Sequence, residues 1–401
     1  MSTTDSTVLP EAPGGRHRRI RLIVVVAVIV AIVVAAGIWG VIGARRYYAY
    51  MPGSAPQLTT SASCRPGPGG TLYLSHRTPC ARLVVADEHG HDLDGRILMV
   101  DVLVGKATPL QYIEQRVGLL NLFHRGAQLL PNQAVLGDTP PAQYSCQDAQ
   151  YMQQASQTAP VLALERLGYK VTYHSLGARV FQVNLGTPAY KAGIHCGDRI
   201  LDVGGHPIKS ADDVSKALTG MKPGQVVKVT VERNASHGKT KQLTVPVTLG
   251  RTPAADRAAD KNPAFLGIAV NELTHVELPF HVEVQVGNIG GPSAGLAITL
   301  ALLDTLSGGS LTGGHVVATT GTISPNGAVG SIGGVKQKTV AVERAGAQLF
   351  LVPSNQDDQT NCTDAKAVAS SRLKVECVST LDQALRDIQQ FGGKVPPKLL
   401  H

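Results

Sequence analysis

The stretch GNIGGPSAGLAITLALLDTLSGG, residues 287–309, places a serine among glycines at the start of a long apolar run. Pro292 suits the first turn of a helix, where its missing N–H group costs no hydrogen bond. The run that follows is apolar on nearly every side, which predicts a buried helix ending at Gly308 and Gly309. Ser293 would then lie in the first turn of a core helix, where free backbone N–H groups favour negative charge. This position suits a nucleophile whose oxyanion is held by backbone amides.

A serine nucleophile needs a base, and two kinds of partner are available. The residues from Gly291 to Gly295 match the G-x-S-x-G pattern of an esterase, which requires an acid and then a histidine further along the chain. Asp304 and His315 occur in that order, but Asp304 lies on the same predicted helix as Ser293, and His315 follows only eleven residues later. The spacing therefore disfavours an esterase.

A second glycine-rich turn offers a lysine base. In GSIGGVKQKTVAVERAGAQ, residues 330–348, a helix is predicted to begin near Val335, so Lys336 falls in its first turn. By spacing alone Lys338 is an equal candidate. A base must be neutral near pH 7, which requires lowering a lysine pKa from about 10.4 by about 3 units, or roughly 4–5 kcal/mol. Burial, together with the positive end of a helix, can supply this.

Residues 265–391 resemble the proteolytic domain of Lon-type peptidases, which use a Ser–Lys dyad. The matching pieces are GGPSAGLAITLALLDTLSGG, TGTISPNGAVGSIGGVKQKTVAVERAGA and LFLVPSNQ. The resemblance implies Ser293 as the nucleophile and Lys336, 43 residues later, as the base in preference to Lys338. It also implies that Thr320 supports the dyad by hydrogen bonding. The sequence departs from the family at Thr322, where many Lon domains have Glu.

The preceding segment, residues 170–250, resembles a PDZ domain of the bacterial exported-protease type. The resemblance rests on GTPAYKAGIHCGDRILDVGGHPI, followed by a helix that starts at Ser210 with Asp213 three residues on. Such domains bind extended peptide C-termini by adding a strand to a sheet edge. The carboxylate-binding loop would correspond to SLGARV, residues 175–180, where the backbone N–H donors would come from Leu176, Gly177 and Ala178.

Near the N-terminus, residues 22–44 form a run of 23 residues without a charge. About 20 residues suffice to span a bilayer, whereas the apolar region of a cleaved signal peptide has about 7–15. Four arginines precede the run and two, Arg45 and Arg46, follow it. The positive-inside rule therefore predicts a single-pass cell-membrane protein with a cytoplasmic N-terminus and an extracytoplasmic catalytic domain. The bilayer would be a partner through residues 22–44.

The amino-acid composition limits the partners, cross-links and metals that the chain is expected to have. The net charge is +8, but aromatics make up only 4% and no basic block with interleaved aromatics occurs, which excludes a nucleic-acid partner. The six cysteines favour disulfides, and among 15 pairings sequence proximity favours Cys64–Cys80 and Cys362–Cys377, which leaves Cys146–Cys196. The acidic and histidine cluster at residues 86–95 lacks metal-ligand spacing and predicts a solvated turn. We expect no metal and no cofactor.

These segments predict an α+β multidomain chain with an N-terminal transmembrane helix, a β-rich PDZ domain with a helix, and a C-terminal α+β Lon-type proteolytic domain. The predicted order is a cytoplasmic tail (1–21), the transmembrane helix (22–44), a linker (45–70), an N-terminal extracytoplasmic region (71–169), the PDZ domain (170–250), a linker (251–264), the Lon-like domain (265–391) and a tail (392–401).

The predicted function is a membrane-anchored serine endopeptidase that works without ATP on peptides or unfolded segments captured by the PDZ domain. No P-loop motif occurs; the nearest approach, RNASHGKT at residues 233–240, lacks the first glycine and predicts a hairpin tip. The resemblance implies a homo-oligomer, with a hexameric ring as the form common in the family. The alternative from another class is a non-catalytic membrane adaptor, in which a PDZ module is joined to a degenerate protease domain.

Overall fold

The computed structural model describes residues 14–59, 65–66, 72–75, 78–85, 95–234, 239–252, 264–287, 289–354 and 359–400. Within these ranges the α-helices are α1 Gly14–Ala44, α2 Pro109–Arg116, α3 Leu120–Phe123, α4 Asn132–Leu136, α5 Pro141–Arg166, α6 Pro188–Lys191, α7 Ala211–Leu218, α8 Gly295–Leu306, α9 Val335–Arg344, α10 Thr360–Val368 and α11 Leu381–Gln390. Short 3-10 helices cover Pro292–Ala294 and Pro397–Leu399.

The strands of the described residues are β1 Tyr47–Pro52, β2 Gln57–Thr59, β3 Arg65–Pro66, β4 Leu72–Ser75, β5 Thr78–Val85, β6 Arg96–Met99, β7 Val102–Lys106, β8 Gln128–Pro131, β9 Thr172–Val183, β10 Arg199–Val203, β11 His206–Pro207, β12 Val226–Asn234, β13 Thr240–Thr248, β14 Gly250–Arg251, β15 Ala264–Phe265, β16 Ile268–Glu277, β17 Val282–Gln285, β18 Val316–Thr319, β19 Thr322–Ile323, β20 Val329–Gly330, β21 Leu349–Pro353 and β22 Lys374–Val378.

The chain divides into two compact units. The first unit consists of residues 1–50 and 104–135, and the second of residues 51–103 and 136–401. In the first unit, Arg21–Ala44 of α1 is a helix of 24 residues with a mean hydropathy of 3.2, long and apolar enough to cross a membrane. A three-stranded sheet in the order β7-β1-β8 follows α1 in this unit.

A large sheet lies at the centre of the second unit. Over the residues that the structure describes it has nine strands, in the order β22-β21-β18-β6-β2-β5-β4-β3, with β17 paired to β5. The neighbours β6, β18, β21 and β22 are parallel. Helix α8 packs on β6 and β2 and is buried nearly all round, as its unbroken apolar sequence predicts.

The strands of this sheet change the predicted domain limits. The strands β1, β2 and β3 all lie inside the segment 45–70 that was predicted to be a linker, so that prediction is wrong for these residues. β5 and β6 come from the predicted N-terminal region and pair with strands near the Ser293 helix. The proteolytic fold therefore begins some 200 residues earlier in sequence than residue 265, because a sheet can recruit strands from distant parts of the chain.

A second sheet, in the order β13-β12-β10-β9-β16, builds the PDZ-like part of the second unit. Its core is formed by small and β-branched residues that alternate along the strands, such as Val227, Val229 and Val231 on β12. Helix α7 packs against β9 and β16, and the Asp213 carboxylate accepts a hydrogen bond from the Ser210 amide at 3.0 Å, as the capping pattern predicts. Strand β16 is the edge of this sheet.

The long helix α5 connects the two sheets. It packs on α8 through buried residues such as Met152 and Ala159, and it also contacts β9. A disulfide joins Cys146 on α5 to Cys196 before β10, and a second joins Cys362 to Cys377. The Cys362–Cys377 pairing is the one that sequence proximity predicts, and Cys146–Cys196 is the pair that this prediction left over.

The C-terminal segment 392–401 is not a free tail. Val395 is 6% exposed and Leu399 is fully buried, and both pack on the core around α8. The predicted Cys64–Cys80 pairing, the cluster at residues 86–94 and most of the linker 251–264 lie outside the described residues. Strands β12 and β13 pair as far as Asn234 and Thr240, and the hairpin tip predicted between them, residues 235–238, lies outside the described residues.

Candidate active site

Ser293 lies at the centre of the 3-10 helix Pro292–Ala294 and is half-buried. The glycines around it make this tight turn possible. Gly291 has φ +84°, a backbone conformation that side chains rarely adopt. A Cβ atom on Gly295 would lie 2.7 Å from Ile323 Cγ2, so only glycine allows this close approach at the start of α8. The G-x-S-x-G pattern therefore reflects backbone packing at both of its glycines.

The turn is fastened to the end of β18. The carbonyl of Ser293 accepts hydrogen bonds from the Gly321 amide at 2.9 Å and from Thr320 Oγ1 at 3.2 Å. The Leu296 amide donates in return to the Gly321 carbonyl at 3.1 Å. Since these bonds involve main-chain atoms on both sides, they hold the Ser293 turn at a fixed position beside Thr320.

The amine that meets Ser293 is that of Lys338. Its Nζ lies 2.7 Å from Ser293 Oγ and 3.0 Å from Thr320 Oγ1. Lys338 is the fourth residue of α9, and its backbone N–H bonds to the Gly334 carbonyl at 3.0 Å. The side chain is 3% exposed and Thr320 is fully buried. A serine hydroxyl, a threonine hydroxyl and a lysine amine thus share one enclosed site.

Burial lowers the pKa of Lys338 to about 7, and the carboxylates of Asp101 and Asp148 act in the opposite direction. The physical cause is the loss of hydration of the ammonium form, which the two nearby negative charges offset only in part. An amine with this pKa is partly neutral at neutral pH and can accept a proton from a hydroxyl in hydrogen-bond contact.

The structure corrects the choice of Lys336. That side chain is about half exposed, and its Nζ pairs with Asp364 Oδ1 at 3.2 Å on the surface of α9. Residues two apart on a helix differ by about 200° in direction, so Lys336 and Lys338 point to opposite sides. The core packs Val335, Lys338 and Val342 inward, and this burial selects Lys338. Thr320, in contrast, lies beside Ser293 as the resemblance implies.

Asp148 is a site residue that the sequence interpretation missed. It lies on α5, and its backbone carbonyl accepts a hydrogen bond from the Gly291 amide at 3.0 Å. A Cβ atom on Gly290 would lie 2.1 Å from Asp148 Oδ2, so the glycine pair before Pro292 leaves space for this carboxylate. Burial raises the pKa of Asp148, and the charge of Lys338 lowers it. The sequence carries no signal that brings this helix to the Ser293 turn.

Asp101 is the second acid near Lys338. It follows β6 and is held by Ser54, whose amide and hydroxyl donate to its two carboxylate oxygens at 2.7 and 2.6 Å. A Cβ atom on Gly334 would lie 2.8 Å from Cγ2 of Val102, the residue after Asp101. The segment after β6 therefore passes close to the start of α9. Both acids therefore come from the part of the chain before residue 170, in which no catalytic motif was recognised.

The residues that an esterase would need lie elsewhere. Asp304 is buried near the end of α8, where its carboxylate accepts a hydrogen bond from the Leu311 amide at 2.7 Å, and burial raises its pKa to about 6. His315 stacks edge-on against Phe391 with ring centroids 4.9 Å apart. Neither contributes a hydrogen bond to Ser293 in the described part of the chain, and the geometry supports the lysine partner instead.

A groove of about 490 Å³ lies between α7 and the first half of β16. Val214, Ser215 and Leu218 line it from α7, while Ile268 and Val270 line it from the strand. The loop before β16 includes Gly267, with φ +84°. Because β16 is the edge of its sheet, this groove has the geometry for binding an extended peptide by strand addition.

This groove corrects the predicted carboxylate-binding loop. Gly177 and Ala178 both lie within β9. Gly177 pairs with Leu273 of β16 on one side of the strand, and Ala178 pairs with Ile200 of β10 on the other side. The Leu176 carbonyl accepts a hydrogen bond from Arg199 at 2.6 Å. The strand that forms the open edge follows 90 residues later in sequence, so the local pattern around SLGARV could not identify it.

Comparison with known proteins agrees with this architecture. The family model for the PDZ domain matches residues 165–247, and the model for the Lon protease C-terminal proteolytic domain matches residues 228–390. The PDZ domain of an SdrC-like protein from Listeria monocytogenes is 27% identical and covers 25% of this chain and 92% of its own, with a TM-score of 0.19.

Curated relatives match part of this chain. The Lon protease of Ureaplasma parvum is 34% identical over 168 residues, which is 41% of this chain and 19% of that protein. Lon protease 1 of Sorangium cellulosum is 35% identical over 132 residues, or 33% of this chain and 16% of its own length. This chain thus spans less than a fifth of either relative. It contains a PDZ domain and a proteolytic domain of the Lon type.

Proposed function

We propose that this chain is a membrane-anchored serine endopeptidase in which Lys338 is the general base for Ser293. The observation that carries the proposal is the 2.7 Å contact between Lys338 Nζ and Ser293 Oγ at a buried site. The lowered pKa of Lys338, about 7, supports it because a neutral amine is required for the first step. The similarity to Lon proteolytic domains supports the reaction class.

In the first step, the Ser293 hydroxyl donates its proton to the neutral amine of Lys338 while Oγ attacks the carbonyl carbon of a peptide bond. Lys338 becomes an ammonium ion, and its charge is stabilised by Asp101 and Asp148. Thr320 accepts a hydrogen bond from the amine and donates one to the Ser293 carbonyl, so it keeps both reacting groups in place. The backbone N–H groups at the start of α8 suit the oxyanion.

In the second step, the Lys338 ammonium gives its proton to the leaving amine as the peptide bond breaks. An acyl group then remains on Ser293 Oγ. A water molecule gives a proton to the neutral Lys338 and attacks the acyl carbon, and the proton returns to Ser293 as the acid product leaves. No group other than the chain's own residues and water is needed.

Substrate capture is assigned to the groove between α7 and β16. An extended peptide would pair with the edge of β16 and place apolar side chains against Val214 and Leu218. The substrates would be peptides or unfolded segments, because the sequence has no P-loop motif for nucleotide-driven unfolding. We further propose that α1 spans the cell membrane, that the catalytic unit is extracytoplasmic, and that the protein is a homo-oligomer.

The test uses the full chain in detergent with an unfolded protein as substrate and no nucleotide. Ser293→Ala is expected to abolish turnover, and Lys338→Met to lower kcat by about 100- to 10,000-fold, the range for loss of a general base. The matched control is Lys336→Met, two residues away on the same helix and exposed, which should leave turnover unchanged. Circular dichroism checks that each variant is folded.

The pattern of losses decides between the alternatives. Loss of turnover in Lys336→Met, together with normal turnover in Lys338→Met, would contradict the assignment of Lys338 as the base. Turnover that is unaffected by Ser293→Ala would contradict the peptidase and favour the non-catalytic adaptor. Loss of activity with His315→Ala and retention with Lys338→Met would favour the esterase.

A further inference from the structure

Large hydrophobic side chains are exposed in one part of the first unit, around the helices α2 and α3. Among the described residues beyond α1, seven of the fourteen exposed large hydrophobics lie between residues 103 and 123. Five of them lie on α2, on α3 or in the turn between these helices, and are called the apolar platform here: Leu110 63%, Val117 60%, Leu119 41%, Leu122 74% and Phe123 62% exposed. So many exposed apolar side chains within one short segment, rather than singly scattered ones, indicate an interaction site.

The packing of α2 fixes the depth of the platform relative to α1. A Cβ atom on Gly40 would lie 2.9 Å from Ile113 Cδ1, and one on Gly43 would lie 2.1 Å from the Tyr112 ring. The two glycines of α1 therefore form the surface on which α2 rests. A span that starts after Arg21 needs about 20 residues to cross the hydrocarbon core, so it ends close to Gly40. Helix α2 then lies at the level of the lipid headgroups.

Aromatic side chains occupy the same level. Tyr112 contacts the Trp39 ring with centroids 5.1 Å apart and the Tyr47 ring with centroids 5.6 Å apart. Tryptophan and tyrosine are enriched where a protein passes from the bilayer core to water, because their rings are apolar and their polar groups still reach water. This cluster supports the depth that follows from the length of α1.

The charges of the first unit complement an anionic surface. Its segments 45–50 and 104–135 contain five basic residues, Arg45, Arg46, Lys106, Arg116 and Arg125, and one acid, Glu114. Glu114 is 8% exposed and faces His124 at 3.4 Å, so the outward charge of these segments is positive. A short amphipathic element with exposed apolar side chains and basic neighbours is typical of helices that lie in the membrane interface.

We propose that the apolar platform is a second membrane contact, which inserts into the outer boundary of an anionic bilayer beside the end of α1. The proposal rests on the membrane anchoring proposed for α1. It assigns α2 and α3 to the interface plane, with their apolar side chains toward the acyl chains and the basic residues toward lipid phosphates. The chain would then contact the membrane through both α1 and the apolar platform. Two contacts restrict rotation of the chain at the membrane surface, which a single spanning helix would allow.

The test places tryptophan reporters in the full chain. The chain's one tryptophan is removed by Trp39→Phe, and Phe123→Trp or Leu122→Trp is added. The proteins are reconstituted in vesicles of three parts phosphatidylcholine and one part phosphatidylglycerol, with and without bromine atoms on the acyl chains. The matched control is Gln128→Trp, exposed on β8 opposite Tyr50, at the end of the strand pair that is remote from α1.

We expect brominated lipids to remove most of the emission of both platform reporters and to leave that of the Gln128→Trp control nearly unchanged. Unquenched reporters in a chain that floats with the vesicles would overturn the proposal while leaving the anchor intact. If copies then cross-link through residues 122 and 123, a second copy of the chain covers the platform instead. A chain that fails to float would overturn the anchor and, with it, the platform.

Discussion

At the scale of single residues, the site depends on the balance between burial and charge at Lys338. Burial lowers the pKa of its amine to about 7, whereas Asp101 and Asp148 act to raise it and would stabilise the ammonium form that the proposed proton transfer produces. A base without these acids would be neutral over a wider pH range but would give a less stable charged state during the reaction. The two carboxylates therefore adjust a pKa that burial alone would lower further.

This balance predicts the pH dependence of catalysis. Turnover should rise as pH increases through about 7, because Lys338 must lose its proton before it can accept one from Ser293. Asp148→Asn removes a negative charge that raises the pKa of Lys338, so the midpoint of kcat/KM against pH should move to lower pH. Asp364→Asn, which changes only the partner of exposed Lys336, is the matched control. A midpoint that stays in place or rises in Asp148→Asn would contradict this role.

At the scale of elements, α5 is the helix that both domains share. Its carbonyl at Asp148 holds the Gly291 amide of the Ser293 turn, and its Gln150 side chain donates to the Val180 carbonyl of β9 at 3.1 Å. Within the same two turns of α5, the disulfide between Cys146 and Cys196 adds a covalent link to the segment before β10. The PDZ sheet and the catalytic turn are thus positioned by one rigid element.

The two disulfides should differ in their effect on stability. They join residues 50 and 15 apart in sequence. In the chain-entropy model, a loop of this longer size stabilises by about 4 kcal/mol and the shorter by about 3 kcal/mol. Guanidinium unfolding of the full chain should therefore show a larger loss for Cys146→Ala/Cys196→Ala than for Cys362→Ala/Cys377→Ala. The reverse order would show that α5 is held to β9 mainly by its other contacts.

The groove between α7 and β16 leads to a prediction about peptide binding. Ser215 is exposed and lines the groove, whereas Asp212 is exposed on the same helix but does not line it. Ser215→Trp should fill the groove and weaken the binding of a fluorescent peptide with a free C-terminus, measured by polarisation. Asp212→Trp introduces the same bulk outside the groove and should bind normally. Equal binding by both variants would mean that peptides bind elsewhere.

At the scale of the whole molecule, the chain combines a helix long and apolar enough to cross a membrane with a Lon-type domain assembled from distant segments. Strands from residues 57–99 and helix α5 complete a proteolytic fold whose motifs all lie after residue 286. Deletion of the region before the PDZ domain would therefore remove part of the catalytic sheet as well as the anchor.

The proposed orientation can be measured in cells. An epitope tag after His401 should be accessible to antibody on intact cells from which the wall has been removed, because the arginines in the first turns of α1 favour a cytoplasmic N-terminus. A tag before residue 2 should be accessible only after the membrane is permeabilised. The opposite pattern would place the catalytic unit in the cytoplasm.

The fold classes and the tight turn at Ser293 could be predicted from the sequence, because they depend on local features: a charge-free apolar run, glycines at the turn and apolar periodicity. The cysteine positions also indicated two of the disulfides, whose partners are now seen. Three features depend on the three-dimensional packing instead: which lysine faces Ser293, which acids surround it, and which strand forms the open edge of the PDZ sheet. Lys336 and Lys338 are the same type of residue on the same helix. They differ only in that the core buries the side chain of Lys338 and leaves that of Lys336 exposed. Asp148 and β16 take their places through contacts between segments far apart in the chain, which no local pattern encodes.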